Sequence, residues 1–339
     1  MDSVGVGVVG CGEIAQLRHI PSWKENKRAT MLAITDVDEA KAKSVANQFH
    51  IPRYYTDFGE MLQKEDDLRI VDICIPTKYH KEYAVEACRH GKHVIVEKPM
   101  ASTVHECEEM IRSARKNDVK LSVCHTMRFY PAIIKTKRTI VSGNLGEIRV
   151  LRFINPYLSL QEWTKTQGGV LWELGTHRVY LTMYLLGDIK GIDVRRLGQG
   201  GSQDNFEILL QTRNGLGMIH LLNAVGNEKI HILGSKGEIV IPPLAFNIAL
   251  MVKEAENWTD LFLGELRNTL IMSQGLMKAG FDYFSKGIKV TPHYALFDQF
   301  LRSVFSDTEV PVPPEEGKKT IEVLLEIEQK LATSSEGFS

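Results

Sequence analysis

The sequence contains no hydrophobic run that approaches the ~20 residues needed to cross a bilayer, and it has no excess of basic residues. With 41 Lys and Arg against 42 Asp and Glu, the formal net charge is −1, so no basic field is available to bind a nucleic-acid backbone. Neither a basic leader nor a cleavage motif precedes the apolar run that begins at Val4. We therefore expect a cytoplasmic protein that binds neither membranes nor nucleic acid.

Cysteine is scarce, and its distribution excludes two further classes of protein. No C-x-x-C pair occurs, and the five cysteines all lie in the first 124 residues: Cys11, Cys74, Cys88, Cys107 and Cys124. This pattern favours reduced, buried thiols over a disulfide framework or a zinc site. The chain of 339 residues, 43% hydrophobic and 24% charged, is of the size and composition expected for two globular domains.

The first 125 residues alternate between short apolar runs and amphipathic segments. The runs predict strands at Val4–Val9, Thr30–Thr35, Ile70–Ile75, His93–Val96 and Leu121–Cys124. The amphipathic segments predict helices at Asp38–Phe49, Lys81–His90 and Thr103–Lys116. Thr103 and Glu106 have the spacing of a capping box at the start of the last of these helices. Regular alternation of this kind predicts a doubly wound parallel sheet, in which ligands bind beyond the carboxyl ends of the strands.

A glycine-rich motif, Gly10-Cys11-Gly12-Glu13-Ile14-Ala15, directly follows the first predicted strand. Gly10 allows a tight turn, Gly12 lets the backbone approach a diphosphate, and the following helix offers its N-terminal N–H groups to the phosphates. Asp36 ends the next strand, 24 residues after Gly12, where a carboxylate accepts hydrogen bonds from a ribose diol and repels a 2′-phosphate. The alternative is an ordinary turn with Asp36 capping a helix, but this context favours a cofactor site, and NAD over NADP.

Two later strands also end in residues that carry chemistry. Ile70–Ile75 leads into Pro76-Thr77 and His80, and His93–Val96 leads into Glu97-Lys98-Pro99. A lysine that faces a cofactor crevice stabilises a developing alkoxide, although an isolated lysine is more often a solvated surface residue. Position at the end of a buried strand, together with the family resemblance described next, favours the functional interpretation of Lys98.

Together with later motifs, these residues resemble the glucose–fructose oxidoreductase/inositol dehydrogenase (Gfo/Idh/MocA) family of NAD(P)-dependent sugar and polyol oxidoreductases. The resemblance rests on the glycine motif, Pro76-Thr77 with His80, Glu97-Lys98-Pro99, Arg128-Phe129-Tyr130-Pro131, and the segment from Gly168 to His177. It covers the N-terminal half and the start of a second domain, and it weakens beyond about residue 245. The Glu-Lys-Pro tripeptide and the later glycine–acid–His segment are specific when they occur together in this order.

The resemblance implies a Rossmann domain, residues 1–125, and an α+β domain, residues 126–339, built on a large, mostly antiparallel open sheet. It identifies Lys98 and His177 as catalytic and implies that the Lys98–Pro99 peptide is cis. The residues expected to contact the cofactor are Gly10, Cys11, Gly12, Glu13, Ile14, Asp36, Pro76, Thr77, His80, Glu97 and Lys98. Since family members commonly cover the open sheet by assembling, we expect a homodimer or homotetramer.

Glu173 and His177 are four residues apart, which places them on one face of a helix. A metal site would need further ligands that the sequence does not offer at metal-binding spacing, so no metal is expected. A solvated ion pair is the other alternative, but the apolar neighbours of Glu173 favour a helix that lines a cleft. The chain departs from the family pattern at three positions: Glu173 replaces an aspartate, Tyr180 replaces a second one, and Gln167 replaces a glycine.

Beyond Gly146 the predicted strands follow one another without intervening helices. They are Glu147–Phe153, Ile192–Leu197, Asn205–Thr212, Gly217–Asn223, Lys229–Leu233 and Glu238–Ile241. Hairpin signals at Arg213-Asn214-Gly215 and Gly234–Gly237 predict antiparallel pairing. Residues 258–285 have apolar residues at helical spacing and predict a helix over the sheet or cleft, and Glu315–Ala332 predicts a C-terminal helix.

These observations lead to a hypothesis for the reaction. Hydride passes from a secondary alcohol of a sugar, sugar derivative or cyclitol to NAD, while His177 accepts the hydroxyl proton and Lys98 stabilises the oxygen. Glu173 binds a neighbouring hydroxyl or orients His177, and Arg128 is a further candidate for substrate binding. Two alternatives stay open: an enzyme that recycles tightly bound NAD, and a non-catalytic, NAD(P)-sensing regulator.

Overall fold

The computed structural model describes residues 3–157, 169–197, 205–242, 248–253, 258–286 and 291–334. The chain divides into two compact units. The first comprises Met1–Thr126 and Lys286–Glu322, and the second comprises Met127–Ser285 and Val323–Ser339. Residues 286–322, which the sequence analysis placed in the second domain, therefore cluster with the first unit.

The first unit is built on a six-stranded parallel sheet with the strand order β3-β2-β1-β4-β5-β6. Its strands are β1 (Val4–Val9), β2 (Ala29–Thr35), β3 (Arg53–Tyr55), β4 (Leu68–Ile73), β5 (His93–Val96) and β6 (Leu121–Val123). All five pairings are parallel. Strands β1, β4, β5 and β6 are buried along nearly their whole length, as expected for a sheet covered on both faces. The predicted doubly wound fold is thus confirmed, with β3 as an additional short edge strand.

Helices follow the strands of this unit, and three of the five described here begin at a side-chain cap. They are α1 (Ile20–Glu25), α2 (Glu39–Phe49), α3 (Phe58–Lys64), α4 (His80–Arg89) and α5 (Val104–Lys116). Asp38 and Asp57 accept hydrogen bonds from the third backbone N–H of α2 and α3, and the predicted capping box of Thr103 and Glu106 is present. Each cap satisfies backbone donors that the first turn of a helix leaves unpaired.

The second unit contains a seven-stranded sheet with the order β13-β12-β11-β7-β10-β9-β8. Its strands are β7 (Ile148–Tyr157), β8 (Ile189–Arg196), β9 (Phe206–Thr212), β10 (Gly215–Asn223), β11 (Lys229–Gly234), β12 (Gly237–Ile241) and β13 (Leu250–Lys253). Only β7 and β10 pair in parallel among these strands; the other pairings are antiparallel. Both predicted hairpins are present, at β9–β10 and at β11–β12. The prediction of a mostly antiparallel sheet is confirmed.

The remaining helices are α6 (Pro131–Val141), α7 (Thr176–Leu186), α8 (Trp258–Lys286), α9 (Pro292–Ser306) and α10 (Pro314–Ser334). The division between the two units falls within α10. Helix α8 is the helix predicted over residues 258–285. It contacts strand β13 through Arg267, which donates a hydrogen bond to the carbonyl of Met251 at 3.3 Å. In the described part of the chain, no helix combines the length and the apolar character that crossing a membrane requires.

Candidate functional site

The carboxyl ends of the parallel strands in the first unit bring the predicted cofactor residues to one edge of the sheet. Gly10 follows β1, Asp36 follows β2, and Lys98 lies two residues beyond β5. Backbone hydrogen bonds continue across the strand ends, with Gly10 N donating to Thr35 O at 2.8 Å. Because every strand runs in the same direction, residues that follow successive strands meet at this edge.

The glycine turn combines one glycine that the fold requires with one that it does not. Gly10 has φ +92°, and a Cβ built there would lie 2.4 Å from the carbonyl oxygen of Cys74. Gly12 has an ordinary φ, and a Cβ there would meet nothing within 4 Å. Gly10 is therefore needed for the tight turn, whereas Gly12 leaves open space above the backbone, as close approach of a diphosphate requires.

Asp36 is fixed by the backbone of the glycine turn. Its Oδ2 accepts a hydrogen bond from Cys11 N at 2.8 Å, and its Oδ1 accepts one from Asp38 N at 3.1 Å. Lys41 Nζ lies 3.3 Å from Oδ2, a contact that the sequence analysis did not foresee. Burial, and then the Asp36 carboxylate, raise the pKa of the Cys11 thiol to about 12, so this thiol is neutral. Asp36 thus couples the turn after β1 to the end of β2.

His80 is buried and joins two turns at the same edge. Its Nε2 lies 2.7 Å from the carbonyl oxygen of Ile75, and its Nδ1 lies 3.0 Å from that of Pro99. Pro76 is exposed and Thr77 is half-buried, in a short 3-10 turn before α4. Burial lowers the pKa of His80. The side chain of His80 therefore holds together the turns that follow β4 and β5.

Lys98 is half-buried and emerges from a fixed piece of backbone. Its N–H donates to Oε2 of Glu97 at 2.9 Å, and the Lys98–Pro99 peptide is cis. The other carboxylate oxygen of Glu97 lies 2.8 Å from Nε2 of His19, in the core of the unit. Glu97 is 8% exposed. Its carboxylate is thus occupied by protein groups directly beside Lys98.

In the second unit, Glu173 and His177 lie on one continuous helical segment. Glu173 belongs to a π-helical turn, Leu171–Gly175, which passes into α7, and His177 is in the first turn of α7. Both side chains are half-buried, so they border the core and reach its surface. π-Helical turns of this kind occur frequently at functional sites. The third departure from the family pattern, Gln167, lies outside the described residues.

Tyr180, the second of those departures, contacts the predicted substrate residue Arg128. Tyr180 is 2% exposed, and its hydroxyl accepts a hydrogen bond from Arg128 Nη1 at 3.0 Å. The guanidinium also lies 4.4 Å from the ring centroid of Tyr184, one helical turn further along α7. His177, Tyr180 and Tyr184 have the spacing of one helix face. A tyrosine here keeps an oxygen acceptor for Arg128 without adding a carboxylate.

The residue that follows His177 anchors α7 to the sheet. Arg178 is 3% exposed; its Nε donates to Asn155 Oδ1 at 2.5 Å, and its Nη2 is paired with Glu228. Asn155 lies on β7, so these bonds fix the helix to the sheet. A buried guanidinium paired and hydrogen-bonded in this way sets the orientation of its helix, and with it the position of His177.

Sequence reasoning missed a group of buried polar residues beneath the cofactor edge. His19 lies between the carboxylates of Asp72 and Glu97, and Trp23 Nε1 donates to Asp72 at 2.6 Å. Asp72 and His19 are both 0% exposed. The sequence did contain a signal, since Asp72 interrupts the apolar run from Ile70 to Ile75, and a buried carboxylate requires a partner.

Two protein-family models match the chain over most of its length. Residues 4–125 match the NAD-binding Rossmann fold of an oxidoreductase family, and residues 137–334 match the C-terminal alpha/beta domain of the same family. The boundaries of the matches enclose all of the predicted site residues except Arg128. These matches cover both halves of the chain and agree with the sheets described above.

Curated relatives and solved structures show the same likeness. Myo-inositol 2-dehydrogenase of Thermotoga maritima is 26% identical over 288 residues, 77% of this chain and 86% of the relative. Trans-1,2-dihydrobenzene-1,2-diol dehydrogenase of Mus musculus is 27% identical over 304 residues, 84% and 90% of the two chains. Oxidoreductase P35 of Formosa agariphila is 27% identical over 198 residues, 55% of this chain and 61% of the relative.

Among solved structures, the fold is similar to that of the WlbA dehydrogenase from Bordetella pertussis in complex with NADH and UDP-GlcNAcA. The TM-score is 0.82 at 21% identity, and the match covers 98% of this chain and 96% of the other. An oxidoreductase from Agrobacterium radiobacter, solved with NAD+, L-tartaric acid and magnesium, gives a TM-score of 0.75 at 20% identity over 98% and 97%. Both comparisons establish the two-sheet architecture.

Proposed function

Because the chain belongs to the Gfo/Idh/MocA family of NAD-binding oxidoreductases, we propose that it oxidises a secondary hydroxyl of a sugar, sugar derivative or cyclitol. The observation that carries this proposal is the common edge of the first sheet, where the turn at Gly10–Gly12, Asp36 and Lys98 follow parallel strands. A dinucleotide site and a cationic side chain at one edge are what hydride-transfer chemistry needs.

NAD is the cofactor that these residues fit. The open space above Gly12 suits a diphosphate, and Asp36, held by two backbone N–H groups, presents a carboxylate where the ribose diol is expected. When bound, NAD supplies the hydride acceptor. Lys41, 3.3 Å from Asp36, partly offsets that negative charge, so we propose a preference for NAD rather than complete exclusion of NADP.

The residues identified from the sequence have separate roles in the proposed reaction. Lys98 donates a hydrogen bond to the substrate oxygen and stabilises its developing negative charge. His177 accepts the hydroxyl proton as general base, and groups of this type contribute on the order of 10²–10⁴-fold each. Glu173 binds a neighbouring substrate hydroxyl or orients His177, and Arg128, stacked on Tyr184, binds a more distant part of the substrate.

The experiment compares NADH formation by the wild type and by Lys98→Met with a panel of polyols and nucleotide sugars. The panel begins with the compounds in the names of the relatives: myo-inositol, trans-1,2-dihydrobenzene-1,2-diol and UDP-GlcNAcA. We expect Lys98→Met to lower kcat/KM by at least ~10²-fold, a larger factor than any loss of NAD affinity that follows from its contact with the cofactor. Lys81→Met is the matched control, because Lys81 is a partly exposed lysine on α4 that pairs with Glu109.

Two outcomes would contradict the proposal. Equal turnover by Lys98→Met and Lys81→Met would remove Lys98 from the reaction. Tight NAD binding by the wild type without turnover on any member of a broad polyol panel would favour the regulator described above. Purified protein that carries one equivalent of NAD, not exchanged during turnover, would instead favour the enzyme that recycles its cofactor.

A further inference from the structure

His19 is buried between two carboxylates, in a position that constrains its protonation. Its Nδ1 lies 2.9 Å from Oδ2 of Asp72, and its Nε2 lies 2.8 Å from Oε1 of Glu97. The ring is 0% exposed, and it ends the π-helical turn Ala15–His19 that follows the glycine motif. Asp72 belongs to β4, and Glu97 directly follows β5. The ring therefore links the glycine-turn helix to two strands of the sheet.

The number of N–H groups on the His19 ring limits the protonation states that the ring and its two carboxyl partners can adopt. A neutral imidazole has one N–H, so one of its nitrogens would present a lone pair to a carboxylate oxygen at less than 3 Å. That contact is repulsive unless the carboxyl group carries the missing proton. The geometry thus requires either an imidazolium between two carboxylates or a neutral ring beside one carboxylic acid.

The surroundings select the imidazolium. Asp72 also accepts a hydrogen bond from Trp23 Nε1 at 2.6 Å, and Glu97 also accepts one from Lys98 N at 2.9 Å. Each carboxyl group therefore receives a second N–H donor, and such donors favour a carboxylate over a carboxylic acid. Burial raises the pKa of Glu97, but the hydrogen bond and charge of His19 outweigh it and hold that pKa well below its usual range. Burial lowers the pKa of His19, yet Asp72 and its other neighbours raise it well above the usual range.

The two thiols and the second imidazole beside the ring are neutral, while the charges of Lys98 and Arg18 act on Glu97 and His293. Cys74 Sγ lies 3.1 Å from Nδ1, and Cys124 Sγ lies 4.0 Å from Nε2; burial raises the pKa of both thiols. From α9, the His293 ring lies with its centroid 5.4 Å away, and burial followed by the charge of His19 lowers its pKa to about 3. The cluster therefore carries two negative charges and one positive charge.

We propose that His19 is a permanently charged positioning residue, whose imidazolium clamps Asp72 and Glu97 and thereby fixes the backbone from which Lys98 emerges. One Glu97 oxygen accepts from His19 and the other from Lys98 N, so loss of the ring frees the carboxylate that holds Lys98. The charge of His19 can be tested without any substrate. Its consequence for catalysis rests on the proposed function.

A transition metal is the competing occupant of the same cluster. One donor atom each from His19, Glu97, Cys124 and His293 lies within 4.8 Å of the others. Metal binding would require a deprotonated Cys124 and one bare His19 nitrogen, and it would break a carboxylate contact. Both ring nitrogens of His19 lie at direct hydrogen-bond distance from a carboxylate, which favours a doubly protonated ring over a bound metal. The two states give different nuclear magnetic resonance signals.

The first experiment records ring resonances of the wild type with ¹⁵N-labelled histidine. We expect two N–H protons on His19, both attached to imidazolium nitrogens and unchanged from about pH 6 to 9, where a free histidine loses its charge. His93 is the internal reference, because its Nδ1 accepts from Lys120 N and its pKa is lowered by burial, so it shows a bare nitrogen. A single N–H on His19, or a stoichiometric metal by elemental analysis, would overturn the proposal.

The second experiment measures the effect of His19→Gln on Lys98, with His93→Gln as the control, because His93 begins β5, the strand that leads to Lys98. A glutamine is neutral and offers only one donor group, so we expect Lys98 amide exchange to accelerate by about tenfold or more, relative to the control. On any substrate found for the wild type, kcat falls at least ~10-fold with NAD affinity within about twofold. Unchanged Lys98 exchange would refute the clamp. If no substrate is found, the proposed function fails, while the resonance and exchange results still decide the role of His19.

Discussion

Replacement of Gly12 by alanine separates binding of the cofactor from stability of the fold. A Cβ at Gly12 meets nothing within 4 Å and the backbone φ is ordinary, so the folded state accepts the methyl group. Because alanine also restricts the unfolded chain, the free energy of unfolding should stay within about 1 kcal/mol of the wild type, or rise slightly. The methyl group would occupy the space proposed for the diphosphate.

Gly12→Ala should therefore lower the affinity for NAD and leave the fold intact. We predict that Gly12→Ala weakens NAD binding by at least ~10-fold, or about 1.4 kcal/mol, in a calorimetric titration. Gly10→Ala gives the opposite pattern: at φ +92°, with the carbonyl oxygen of Cys74 2.4 Å from the new Cβ, strain and overlap lower the free energy of unfolding by about 2–5 kcal/mol. Urea denaturation measures this change.

Gly264→Ala is the control, because a Cβ there also meets nothing within 4 Å but lies on α8. Gly264→Ala should bind NAD like the wild type. If Gly12→Ala were folded and bound NAD with wild-type affinity, the diphosphate would not rest on this turn. The cofactor site inferred from the strand-end geometry would then have to be abandoned.

Four further predictions concern the cofactor, the second unit and, in two cases, the thiols. Asp36→Asn should lower the ratio of NAD to NADP affinity by at least ~10-fold, since one negative charge is lost beside Lys41; competitive titrations test this, and an unchanged ratio refutes it. Arg178→Met should lower the free energy of unfolding by about 1–3 kcal/mol, because the buried Asn155 amide loses its donor and the partly exposed Glu228 loses its partner; no measurable loss in urea would contradict it. The five buried thiols should resist alkylation at pH 8 in the native protein and react when it is unfolded. Burial raises the pKa of these thiols in the folded protein, for Cys11 to about 12. In the unfolded chain they lose their protons above about pH 8.5, so the free energy of unfolding should fall as the pH rises above that value. A free energy of unfolding that stays constant from pH 9 to 11 would contradict this.

Much of the fold was accessible from the sequence because its signals are local. Continuous apolar runs identified five of the six parallel strands, and Thr103 with Glu106 identified the start of α5. β3 was missed because three residues, Arg53–Tyr55, form too short a run to show a period. Residues 286–322 cluster with the first unit through contacts that are remote in sequence, such as Lys120 with Asp307, and no local pattern indicates such contacts.

The candidate site was predictable to the extent that strand ends reveal it. Gly10, Asp36 and Lys98 each follow a strand, so a parallel sheet brings them to one edge without further information. The environment of Arg128 was not predictable in this way. Tyr180 looked like a missing carboxylate, and only the packing of α7 shows that its hydroxyl accepts from Arg128.

The buried polar cluster at the carboxyl ends of the parallel strands could not be predicted from a single sequence. Asp72 in an apolar strand indicates a buried carboxylate, which is costly unless it is paired, and therefore requires an unseen partner. His19 lies four residues after Ala15, on the buried side of its helical turn, and alone indicates no more than a core histidine. The two are connected only by the sheet order β1-β4-β5, which sets the helix after β1 against the ends of its two neighbours. Adjacent strands thus place one ring against two carboxylates, and the second of these, Glu97, is also the residue that binds the backbone of Lys98.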